Sequence, residues 1–143
     1  MPFASSQTER RLTLRLLSYW EKLRRGRAMP PEREITRDDI ADLWLDCFIF
    51  RMRPDGSLQQ HSIGDAIEIM LRNDMNKLSP LMLADDNDRQ WFATMQQNQR
   101  PCMVEGEFTN NAGRPVRYRM CLLPLGEDGR VTAVLGGMNC KVF

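Results

Sequence analysis

A chain of 143 residues is about one domain's worth, enough to bury roughly 70% of its unfolded surface in a core of its own. With 42% hydrophobic and 27% charged residues it has a globular balance, and no run approaches the roughly 18–20 apolar residues of a membrane span. The formal charge of +1 hides a division: residues 1–30 carry seven basic and two acidic side chains, residues 31–143 thirteen and seventeen.

Ser6-Gln7-Thr8-Glu9 reads as a capping box at a helix start. Leu12, Leu16, Leu17, Trp20 and Leu23 then form one apolar stripe, with Arg10, Arg11, Arg15, Lys22, Arg24 and Arg25 on the remaining surface. Gly26 stops this helix and Pro30-Pro31 prevents its resumption. Thr36-Arg37-Asp38-Asp39 opens a short helix towards Leu43. Leu45–Met52 and Leu58–Ile63 are strands joined by a turn at Pro54-Asp55-Gly56. Ile67, Met70 and Leu71 suggest short helical turns, and Asp85–Asp88 supply caps for a longer helix burying Trp91, Phe92 and Met95.

The last third pairs most clearly. Setting Met103–Phe108 against Pro115–Leu125 with Phe108 opposite Val116 brings Glu107 to Arg117 and Glu105 to Arg119, with apolar pairs on the other face. A one-residue slip would put glutamates opposite apolar partners. Around a turn at Gly126–Gly129, the final strand, Arg130–Phe143, is expected to place Leu122 beside Ala133 and Met120 beside Leu135. These three strands form a meander with one polar and one concave apolar face. The whole is an α+β fold, a five-stranded antiparallel sheet with helices on one face. Residues 1–35 read as a helical arm and Pro-rich linker, residues 36–143 as the domain.

The residues that carry a resemblance are Trp20, Arg24 or Arg25, Gly26-Arg27, Met29-Pro30, Arg33, Ile35 and Asp39-Ile40. Ile63-Gly64, Leu122–Leu125 and Leu135-Gly136 add to it. Together with the element order, the chain resembles the PAS domain family, and within it the short standalone PAS-like proteins of alphaproteobacteria. The resemblance implies a sheet cupping a small pocket and a sensory or protein-interaction role, exercised through partners. Asp65 stands where the family usually has a small hydroxyl residue, and Asn73–Lys77 replace an expected glycine-containing segment. Pocket candidates are Met70, Met95, Tyr118, Met120, Leu135 and Gly136, lined by flexible thioethers suited to a small apolar ligand, or to none. Gly136-Gly137 removes side chains where a ligand or backbone could approach, or marks a bulge.

Other chemistries are poorly served. His61 is the only histidine, so one chain cannot supply a two-histidine metal site. It falls on a strand among Gln59, Gln60 and Ser62, whereas haem-binding PAS domains resembling this one carry their histidine on the long helix. No cysteine lies between Cys47 and Cys102, which excludes the family's cysteine-based flavin photochemistry. The four cysteines (Cys47, Cys102, Cys121, Cys140) have no Cys-x-x-Cys spacing and read as buried free thiols. A calcium loop counted from Asp86 would need glycine at Trp91 and a carboxylate at Gln97. Neither enzyme activity nor a cofactor is expected.

The first six residues lack the basic stretch and apolar core of a secretory signal, so a cytoplasmic location is expected. Partner contact is assigned to Arg10, Arg11, Arg15, Trp20, Arg24, Arg25 and Arg27, with a homodimer through residues 8–25 and an unidentified signalling partner. The alternative function is a nucleic-acid-associated adaptor using the same arginines.

Overall fold

The computed structural model describes residues 7–74, 90–110 and 112–143. The Ser6 cap and the Asp85–Asp88 caps lie outside the described residues, as does the Arg10 side chain. Helix α1 spans Gln7–Arg24 and ends where Arg25 and Gly26 turn left-handed. Three short 3-10 turns follow, at Glu32–Glu34, Arg37–Ile40 and Trp44–Asp46. The second is the helix expected after Thr36, and the third takes the first two residues of the expected strand. Strands β1 (Cys47–Met52) and β2 (Leu58–Ile63) form the hairpin, with Asp55 Oδ1 accepting from the Ser57 amide at 2.9 Å in the turn. Helices α2 (Asp65–Asp74) and α3 (Gln90–Asn98) precede β3 (Cys102–Thr109), β4 (Pro115–Glu127) and β5 (Arg130–Val142).

The sheet is antiparallel in the order β2-β1-β5-β4-β3, so the last strand is central and β2 and β3 are its edges. The β3–β4 register is the expected one, from Phe108 against Val116 to Val104 against Met120. Arg117 Nε donates to Glu107 at 3.0 Å, and Arg119 Nε to Glu105 at 2.6 Å.

The β4–β5 register differs from expectation by three residues: Leu122 pairs with Gly136 and Met120 with Met138. The loop contains two residues rather than four, because Asp128 and Gly129 both adopt positive φ (54° and 73°) and let Glu127 pair with Arg130. A register shift between Leu125 and Gly126 supplies the remaining offset. The freed Gly126 amide donates to Pro30 O at 3.0 Å, fastening the linker to this hairpin.

Helices α2 and α3 lie towards one face of the sheet, as expected, and the N-terminal helix α1 covers the other. Phe48, Phe50, Val134, Gly136, Met138, Leu122, Met120 and Tyr118 alternate onto the concave face. There Gln96 of α3 donates to the Met52 sulfur at 3.3 Å. Cys47, Ile49, Ala133, Leu135, Gly137, Cys121 and Leu123 take the outer face, against which α1 lies. The strands buried on both sides therefore read as continuous apolar runs, and the expected polar face of the meander survives where Glu105, Glu107, Arg117, Arg119, Asn139 and Lys141 lie. Leu12, Leu16, Trp20 and Met29 belong to the same hydrophobic core as the sheet.

Candidate functional site

Two adjacent glycines on the central strand organise both faces. A Cβ at Gly136 would fall inside the Phe48 ring on the concave side. One at Gly137 would meet Leu16 Cδ1 at 2.5 Å and Leu12 at 3.3 Å on the outer side. The pair thus admits an aromatic ring on one face and a helix on the other, and the bulges lie elsewhere, at Leu125/Gly126 and at Ile49/Phe50.

The concave face is filled at its centre. Phe48 and Phe50 have ring centroids 5.3 Å apart, and Met95 and Met120 are fully buried beside them in the core. Of the six pocket candidates, Met95, Tyr118, Met120 and Gly136 belong to this side of the molecule, with Tyr118 lying over Gly106. Leu135 faces the other way. It pairs with Ile49 and Leu123 on the outer face, a direct result of the three-residue change in register. Met70 lines a separate small cleft between α2 and the end of β5, together with Asp46, Ala66, Ile67, Met138, Asn139 and Cys140. Asp65, at the start of α2, is exposed. His61 is exposed as the residue left over where β2 slips against β1.

The thiols divide unevenly. Cys47 and Cys121 are buried on the outer face, flanking Gly137, and Cys47 Sγ donates to Leu43 O at 3.2 Å. Burial pushes both thiols up to about 12. Cys102 is half-buried, and Cys140 is exposed rather than buried, because it lies on the polar end of β5 that runs beyond its pairing with β1.

The basic helix is largely neutralised within the chain. Arg15 makes a two-pronged pair with Asp42, and Arg11 approaches the same carboxylate at 3.7 Å. Arg24 bonds Glu21 at 2.8 Å and packs over Trp20, with 5.7 Å to the ring centroid. Arg27 clasps Glu34 at 2.7 and 3.0 Å while donating to Leu23 O and Arg24 O at the helix end. These arginines hold α1 and the linker in place, and Arg25 remains on the exposed surface.

Trp20 is not available to a partner: it is buried, with Nε1 donating to Pro124 O at 2.7 Å. The motif that carried the resemblance is thus the clamp between α1, the linker and the β4–β5 hairpin. The apolar stripe behind the expected homodimer is likewise taken up by the chain's own sheet. On the outward side of α1 only Leu14 is strongly exposed among the large apolar residues, at 61%.

The antiparallel sheet in this order, with α2 and α3 towards its concave side, is the frame that holds these residues. The sequence matches the PAS domain family over residues 8–139, and the chain belongs to that family. No curated protein matches it. No helix among the described residues is long and apolar enough to cross a membrane.

Proposed function

We propose that this chain is a cytoplasmic, non-catalytic PAS module that regulates a signalling protein through its sheet and N-terminal helix. The observation that carries the reading is the Gly136-Gly137 step, which seats Phe48 and Leu16 on opposite faces of one central strand. A small apolar ligand on the concave face would act by displacing Phe48. A shift of β5 would then be felt at the Leu12–Leu16 seat and change how α1 presents Leu14 and its charged rim. The non-catalytic part of the reading rests on the nucleophiles and bases that the chain carries. The raised thiols and the exposed position of His61 agree with it.

The test is hydrogen exchange of α1 in Phe48→Leu, a substitution on the face opposite the helix. Faster exchange in α1 than in β3 is expected, whereas unchanged α1 protection in a folded variant would overturn coupling across the sheet.

A further inference from the structure

Among the described strands, β3 has one neighbour, β4. The Asn110 amide donates to Arg114 O at 2.9 Å, in the same register as the β3–β4 pairs. Bonded and non-bonded pairs alternate along an antiparallel ladder, so Phe108, Gly106, Val104 and Cys102 exchange hydrogen bonds with β4. Met103, Glu105, Glu107 and Thr109 therefore turn their amides and carbonyls away from it. The Phe143 amide, bonded to Pro115 O at 2.9 Å, sets the same alternation from the far side of β4.

The side chains of Met103, Glu105, Glu107 and Thr109 are exposed on the outer face. Those of Cys102, Val104 and Phe108 lie half-buried on the concave face, packed against the core. Side chains stand perpendicular to a sheet, so a strand on either flank of β3 meets the same two rows. β4 shows what these rows select. It sets Val116, Tyr118 and Met120 against Phe108, Gly106 and Val104, and Arg117 and Arg119 against Glu107 and Glu105. Both glutamates have room for a second cation, since with their arginines in place the side chains are still 52% and 58% exposed. Asp42 already holds two arginines in this way.

A second copy of β3 does not fit the same flank. Antiparallel pairing about a two-fold axis at residue 105, 106 or 107 sets glutamate opposite glutamate. An axis at residue 104 sets Glu107 opposite Pro101, which has no amide to give.

We propose that the flank of β3 away from β4 takes up an extended segment of a partner protein in antiparallel register. The segment carries Arg or Lys opposite Glu105 and Glu107, with apolar residues between them to cover Val104 and Phe108. Main-chain hydrogen bonds supply the affinity and the two rows supply the choice of partner. This gives the regulated partner a point of attachment, but it does not rest on coupling across Gly136-Gly137, which exchange of α1 tests by itself.

The test is a titration of the full, ¹⁵N-labelled chain with the synthetic peptide acetyl-Thr-Val-Arg-Val-Arg-Val-Thr-amide. Saturable shifts centred on the Met103, Glu105, Glu107 and Thr109 amides are expected. Replacing both arginines by glutamate, or methylating the arginines' backbone amides, should weaken binding at least about tenfold. Methylating the valine amides, which point away from β3, should not. The Glu105→Gln/Glu107→Gln variant can still accept from Arg117 and Arg119, and should lose the preference for the arginine peptide. Absence of saturable shifts, or shifts centred elsewhere, would overturn the proposal. So would equal binding of the glutamate peptide, indifference to which amides are methylated, or an unchanged preference in the folded variant.

Discussion

At the scale of single residues, the two glycines of β5 should differ in what they tolerate. A methyl group at position 136 collides with an aromatic ring held between Gly136 and Phe50, whereas one at 137 meets the movable end of a leucine. Gly136→Ala is therefore expected to cost about 1–3 kcal/mol, and more than Gly137→Ala. Urea denaturation measures both, and adding Phe48→Leu to Gly136→Ala should recover part of the loss. Equal costs at the two positions would show that the ring yields as easily as the leucine. The buried thiols make a pH prediction. Cys47 and Cys121 keep their protons up to about 12 when folded, from an ordinary value of 9.0. Above pH 9 the unfolded chain therefore loses protons that the folded chain retains, and stability falls as pH rises. The slope is about 1.4 kcal/mol per pH unit for each thiol. A Cys47→Ala/Cys121→Ala variant should show a shallower alkaline loss in denaturation midpoints, and an identical slope would count against the shift.

At the scale of elements, what the sequence made legible depended on how many faces a strand buries. β3 and the first half of β4 are half-exposed, so their alternating glutamates, arginines and apolar residues admit one pairing, and that pairing is found. The second half of β4 and most of β5 are buried on both sides. In Cys121–Leu125 and Ala133–Leu135 a three-residue slide still puts apolar against apolar. The register is decided instead by the Asp128-Gly129 turn, whose two-residue Asp-Gly signal is hidden in the wider Gly126–Gly129 turn, and by the Leu125/Gly126 shift, which composition does not advertise. This misplaced Leu135 among the pocket residues. Helix α1 was legible as an amphipathic element, but its destination was not: the stripe Leu12, Leu16 and Trp20 says that something covers it without saying what. The cue was Gly137, whose missing side chain makes the seat for Leu16.

At the scale of the whole molecule, the excess positive charge of residues 1–30 is answered mainly by carboxylates from elsewhere in the fold. Asp42 and Glu34 belong to the mildly acidic remainder and meet Arg11, Arg15 and Arg27, while Glu21 meets Arg24 within the helix. The basic surface left to attract phosphates is therefore small. Fluorescence anisotropy with a labelled single-stranded oligonucleotide in dilute buffer is expected to show no binding. Tight binding that weakens steeply as salt is added would revive the nucleic-acid reading, because each phosphate contact adds to the salt slope. The ends of the sheet are also unequal. β2 carries Gln59, Gln60 and the extra residue His61, whose slip against β1 interrupts the regular row of outward amides and carbonyls. β3 is regular over all eight residues, with no slip in its pairing to β4. The molecule is accordingly blunt at one end and open at the other. In concentrated solution, or in a chain caught partly folded, the addition of a foreign strand and the growth of aggregates should begin at Cys102–Thr109.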